Sequence, residues 1–233
     1  MSAIRRRTLT WVLAAGASIA AAPDQIESQR APHETTADTD PRSEFWRGAP
    51  AIFVENDGRG KPVPGYRTEV RSRWTDHNLY FLFVCPYEEL HLKPNPTTTE
   101  ETNELWNWDV AEAFIGSDFQ NIRRYKEFEI SPQGEWVDLD INLDSPRHED
   151  GWLWNSGLKV AARIDASSKI WYGFMQIPYA AVDSRPPAAG NILRINFFRS
   201  QGAEPNHKSL AWRPPMRNSF HTPEAFGTLK LVN

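Results

Sequence analysis

Short runs of alternating apolar and polar residues, each closed by Gly, Pro, Asn or Asp, follow one another from Tyr66 to the end of the chain, with almost no helical period between them. Successive side chains of a strand point to opposite faces, so runs of this kind bury one face each only by pairing into sheets. They fall at 66–74, 79–85, 108–115, 125–130, 135–141, 158–164, 170–177, 192–198 and 227–232. Asp76-His77-Asn78 joins the first two as a hairpin, and one short helical candidate runs from Pro178 to Asp183. The spacing predicts an all-β chain, a β-sandwich or jelly roll of nine or ten antiparallel strands with one short helix.

Residues 106–138 carry this pattern with the most chemistry on it. Trp106-Asn-Trp-Asp-Val-Ala-Glu-Ala-Phe-Ile and Tyr125-Lys-Glu-Phe-Glu-Ile-Ser-Pro-Gln-Gly-Glu-Trp-Val-Asp interleave tryptophans and carboxylates, which gives a sheet with one oily face and one working face. Trp108, Val110 and Phe114 fall at even spacing and read as core. Trp106, at the end of the long loop that follows Cys85, reads as a ligand platform. Flat rings next to charged hydrogen-bonding groups suit sugars, whose C–H faces stack on indole while their hydroxyls seek carboxylates, amides and guanidinium groups. The chain has ten tryptophans, and Trp136, Trp152, Trp154 and Trp212 are further candidates for that role.

The start of the chain follows different rules. A basic opening, an apolar stretch from Leu9 to Ala20 and Ala20-Ala21-Ala22 before Pro23 make residues 1–22 an export signal, so a periplasmic or extracellular location is expected. The apolar stretch is short for a membrane span, and no span is expected in the mature chain. The doubled arginine before Thr8 resembles a twin-arginine signal, although ordinary secretion matches the following residues better. Residues 23–42 are polar and poor in large apolar side chains, which predicts a flexible tether, and 43–233 then form one domain with no room for a separate catalytic one. The net charge of −4, with both signs scattered, excludes a nucleic-acid partner. Cys85, the one cysteine, lies in an apolar run and reads as a small buried hydrophobe.

Several constellations bear on chemistry. Asp109 and Glu112, three apart, fall on opposite faces of an ideal strand and serve one site only if the strand bulges. A carboxylate pair raises glycoside hydrolysis, through Glu112 with Glu129 or Asp109. Asp138, Asp140 and Asp144 belong to an oxygen-rich run with Asn142 and Asp150 that suits a hard cation such as calcium, although it lacks an EF-hand's glycine turn and closing glutamate. Six histidines show no zinc spacing. Met175, Met216 and His221 could ligate a haem held without covalent attachment. No Gly-x-Ser-x-Gly elbow or phosphate-binding glycine loop is present.

From about Phe45 onward the chain resembles a family 9 carbohydrate-binding module, within the wider group of DOMON-like β-sandwiches. The likeness rests on Trp106-Asn-Trp-Asp-Val-Ala-Glu-Ala-Phe-Ile, on the turn from Tyr125 to Gly134, and on the ending Ser219-Phe-His-Thr-Pro-Glu-Ala-Phe-Gly-Thr-Leu-Lys-Leu. The resemblance implies a sugar clamped between two aromatic rings, polar side chains on its hydroxyls and, in some members, structural calcium with no required cofactor. It makes Trp106 the first ring and Glu112 the acidic partner, and it places Glu129 and Ser131 where the neighbouring strand adds polar contacts. An arginine and an asparagine would be expected at those two positions. The second ring falls to Trp212, Phe220 or His221. The expectation is an exported, non-catalytic carbohydrate-binding protein that supports polysaccharide breakdown. A haem-binding electron-transfer domain and a glycoside hydrolase are the alternatives.

Overall fold

Each alternating run becomes a strand in the computed structural model, which describes residues 24–233; the leader expected at 1–22 lies outside the described residues. In chain order the strands are β1 (Gln25–Arg30), β2 (Ala51–Val54), β3 (Asn56–Asp57), β4 (Thr68–Trp74), β5 (Asn78–Pro86), β6 (Val110–Gly116), β7 (Arg124–Ile130), β8 (Trp136–Asn142), β9 (Lys159–Asp165), β10 (Ile170–Pro178), β11 (Ile192–Gln201), β12 (Lys208–Ala211) and β13 (Gly227–Val232), and the one α-helix among the described residues is α1 (Tyr179–Val182). The strands hydrogen-bond in the order β8-β7-β6-β11-β13-β1-β4-β5-β10-β9, with β2 on β4, β12 on β11 and β3 on β12.

This ladder folds over into two facing layers. Ala111, Ala113 and Ile115 of β6, Phe128 and Ile130 of β7, and Ile195 and Phe197 of β11 meet Phe81, Phe83 and Cys85 of β5 and Trp171 and Met175 of β10 in one buried cluster. Phe197 sits edge-on to Phe81 at 5.1 Å between ring centroids. Facing Ile130 of the other layer β10 carries Gly173, and a Cβ there would stand 3.2 Å from Ile130 and 2.9 Å from the Trp171 ring.

Two expectations about the start of the chain are corrected. The polar stretch read as a flexible tether at 23–42 is part of the fold, because β1 is an interior strand between β13 and β4, with Ile26 and Ser28 buried. Composition understated it, since its backbone is held by ladder hydrogen bonds on both edges and by a Ser28–Ser72 hydroxyl pair at 2.7 Å. Residues 31–49 then cover the outer face of β5 and β10, where Phe45 and Trp46 pack on Tyr80, Leu82 and Phe174. Arg71 and Arg73 fasten this strap by donating to the carbonyls of Pro41 (2.7 Å), Phe45 (3.1 Å) and Arg47 (2.6 Å). The sheet is also not uniformly antiparallel, since β1 runs parallel to both of its neighbours.

The β8-β7-β6-β11 layer is apolar on its outer face too. Val110, Phe114, Tyr125, Val137, Leu139, Ile141 and Phe198 form a second cluster there, with Trp106, Trp152, Phe220 and Phe226 packed against it. The 3-10 turns at Leu105–Asn107, His148–Leu153 and Pro223–Ala225 bring segments over this face. Their cover is incomplete, and the gap is the site described next.

Candidate functional site

Strand period decides which side chains reach the gap. On β6, Glu112 shares the outer face with Val110 and Phe114; on β7, Glu127 and Glu129 share it with Tyr125. The antiparallel register sets Glu112 directly opposite Glu129, and Glu127 opposite Phe114. One carboxylate oxygen from each of the three glutamates lies within 4.8 Å of the others. All three are buried, at 2%, 3% and 0% exposure for Glu112, Glu127 and Glu129.

Above the carboxylates lies a cavity of about 420 Å³, lined by Trp106, Glu112, Phe114, Glu127, Leu139, His148, Glu149, Ser200, Ser209 and residues 218–221. Buried Leu105 anchors the turn that carries Trp106 and leaves the indole half-buried at the wall. Phe220 stacks on Phe198 at 4.2 Å. The His221 Nδ1 shares a 2.7 Å hydrogen bond with the Tyr125 hydroxyl, while its ring meets His148 at 4.3 Å.

The electrostatics of this floor are unusual for a sheet face. Burial holds all three glutamates above the ordinary carboxylate range, and the neighbouring carboxylates add to it at Glu112 and Glu129. Burial, reinforced by His148, pushes His221 down to about 4. Glu112 receives only a long 3.4 Å contact from the Ser200 hydroxyl. Among the described residues neither oxygen of Glu129 nor Oε2 of Glu127 has a hydrogen-bond partner. Among the described residues His221 Nε2 lies 3.9 Å from Glu127 Oε2, a contact that becomes an ion pair only when the imidazole is protonated.

Four residues singled out in the sequence therefore share the cavity: Trp106, Glu112, Phe220 and His221. Glu129 lies against its floor in the carboxylate trio. Trp212 does not join them. It is fully buried between the layers, with its six-membered ring pressed against Gly227. Ser131 is also elsewhere; β7 ends at Ile130, and the Ser131 hydroxyl closes the following turn on Glu135 at 2.7 Å. Trp108, expected in the core, is half-buried and stacks on His91 at 4.6 Å. Asp109 turns away from Glu112 and accepts from the backbone N–H of Gly202 (2.6 Å) and His91 (3.1 Å) and from the Gln201 amide (2.8 Å).

The expected cation site at Asp138, Asp140 and Asp144 is likewise corrected, because each carboxylate has its own partner. Asp138 accepts from the Ser156 hydroxyl at 2.7 Å, Asp140 pairs with Lys126 at 2.7 Å, and Asp144 pairs with Arg123 at 2.6 Å. The haem ligands do not converge either: Met175 is buried between the layers and Met216 is exposed. Sequence reasoning passed over Glu127, although its position two before Glu129 marks it as sharing that face. His148, from a turn without periodicity, left no such signal.

Comparison with known proteins bears on the fold. The family model described as carbohydrate family 9 binding domain-like matches residues 39–233. An extracellular protein of Arthroderma benhamiae is 25% identical over 185 residues, covering 74% of this chain and 81% of its own length. The human UPF0462 protein C4orf33 is 25% identical over 161 residues, or 69% of this chain and 74% of its own. A family 9 carbohydrate-binding module from Caldicellulosiruptor kristjanssonii, solved with cellotriose, superposes with a TM-score of 0.62 at 13% identity, over 90% of this chain and 94% of that one. A carbohydrate-binding protein assigned in Bacteroides uniformis superposes at 0.69 and 14% identity, over 89% and 98%. At such identities the structural likeness establishes the fold.

Proposed function

Since the chain belongs to the carbohydrate family 9 binding domain-like family, we propose that it is an exported, non-catalytic protein that holds a sugar in the cavity between Trp106 and the 218–221 segment. The observation that carries the reading is convergence: Trp106, Glu112, Phe220 and His221 come from three separate stretches of sequence and line one cavity. A half-buried indole offers a face to the C–H side of a sugar ring, and Phe220 and His221 offer the second aromatic wall. Glu112 and Glu127 reach the cavity floor, where carboxyl groups take hydrogen bonds from hydroxyls and, when protonated, return them.

A further point supports binding without chemistry: Asp109, one candidate partner for Glu112 in hydrolysis, is spent on three donors. Export follows from the leader-like residues 1–22, and the A. benhamiae relative is described as extracellular. Accompanying a polysaccharide-degrading enzyme is the role such a protein would serve outside the cell.

The C. kristjanssonii module has been solved with cellotriose and with glucose, which makes these the first ligands to titrate. Trp106→Ala is expected to cost about 2 kcal/mol or more of binding, roughly 30-fold in Kd by calorimetry, while Tm falls by no more than a few degrees. Undiminished binding in that variant overturns the reading, and a collapse of Tm reassigns Trp106 to the core.

A further inference from the structure

The carboxylate trio at the cavity floor asks for something the protein does not itself supply. Glu129 is fully buried, its side chain points toward Glu112 and Glu127, and among the described residues no donor hydrogen-bonds to either of its oxygens; Glu127 Oε2 likewise lacks a hydrogen bond and has only the 3.9 Å contact with His221. Two other buried acids are well supplied: Asp109 accepts three hydrogen bonds, and Asp138 accepts from both the N–H and the hydroxyl of Ser156. Carboxylate oxygens taken from water without donors are costly, and three of them facing one another compound the cost.

We propose that Glu112, Glu127 and Glu129 together bind one hard divalent cation of the calcium, magnesium or manganese class at the floor of the cavity. The spacing fits, because a cation with bonds of about 2.0–2.6 Å to oxygen bridges ligand atoms up to about 5 Å apart, and these lie within 4.8 Å. The donor set is carboxylate oxygen, which selects hard ions over soft ones. The cavity opens onto Glu112 and Glu127, so the ion has a path of entry and room for water on its free side. His221 stands beside this arrangement: its Nδ1 is engaged by the Tyr125 hydroxyl, which orients the ring, and its Nε2 lies 3.9 Å from Glu127 Oε2, outside the group of three oxygens that close on one point. This site is distinct from the Asp138, Asp140 and Asp144 run and stands whether or not the cavity binds sugar.

The test uses the full chain, freed of metal with a chelator and titrated with calcium and with manganese. Either ion at about 100 times its half-saturating concentration is expected to raise Tm by about 5 °C or more. Terbium bound in its place is expected to emit when the protein's tryptophans are excited, and calcium is expected to quench that emission by displacement. The double variant Glu112→Gln and Glu129→Gln is expected to lose both responses. Should it not fold, Trp106→Phe keeps all three carboxylates and is expected to weaken the terbium emission. No thermal shift and no emission at about 10 mM, beyond the weak end of protein calcium sites, overturns the proposal. So do responses undiminished in the double variant, or emission undiminished in Trp106→Phe, either of which places the ion elsewhere. Cellotriose titrated in chelator separates this proposal from the sugar reading: a cation shift without sugar binding sinks the sugar alone, and sugar binding without a cation shift sinks the cation site alone.

Discussion

Asp109 and Glu112 stand three residues apart, both almost fully buried, and they live in opposite circumstances. Asp109 collects three donors from the 89–91 loop and the end of β11, and Arg199 lies behind them, bonded to Gln201 and to Thr68. Glu112 faces two other glutamates and a distant serine hydroxyl. Burial does not separate an acid that holds a fold together from one that waits for a ligand; the count of donors around it does.

The comparison breaks most visibly at Asp109. Asp109→Ala strands two backbone N–H groups and an amide in the interior, and is expected to cost about 3–5 kcal/mol, a fall in Tm of about 10 °C, without changing the sugar affinity of the folded protein. A loss under about 1 kcal/mol in a urea titration would show that Asp109 is no anchor. Glu129→Gln is the counterpart: it removes one charge from a crowded trio while keeping the shape, so in chelator its stability should stay within about 1 kcal/mol of the parent or rise. A fall as deep as that of Asp109→Ala would mean the trio is already satisfied, and the contrast would vanish.

The smallest effect concerns the dry core between the layers. Burial pushes the Cys85 thiol up to about 12, so the folded state prefers the neutral thiol. That preference contributes fully below the ordinary value near 9 and is lost as pH climbs through about 12. Between pH 6 and 8 this group is expected to leave Tm unchanged, and the native thiol is expected to ignore Ellman's reagent until the protein is unfolded. Rapid native reaction would show that the interlayer core is as open as the cavity.

Most of the strands were legible because alternation is local, and β4 to β11 and β13 lie within a few residues of where it puts them. Half of the site was legible too, since Trp106 and Glu112 sit on that pattern and the ending from Ser219 resembles a known family. The errors share a cause. Ser131 has the same parity as Glu127 and Glu129, but parity cannot show that β7 stops at Ile130. The Asp138 run has the same-face spacing of a cation site, but spacing cannot show that Lys126, Arg123 and Ser156 already serve its members. Trp212 and β1 were misjudged from composition, when what decides them is the partner each meets across the fold: Gly227 for the indole, and β4 and β13 for the strand.

That first strand has a consequence in time. Gln25 pairs with Thr228 and Gln29 with Val232, so β1 finds one of its two neighbours only 203 residues further along the chain. Loops this long close late and slowly. Until β13 arrives, β1 lacks one of the two ladders that hold it, and the middle of the sheet stays open at that seam.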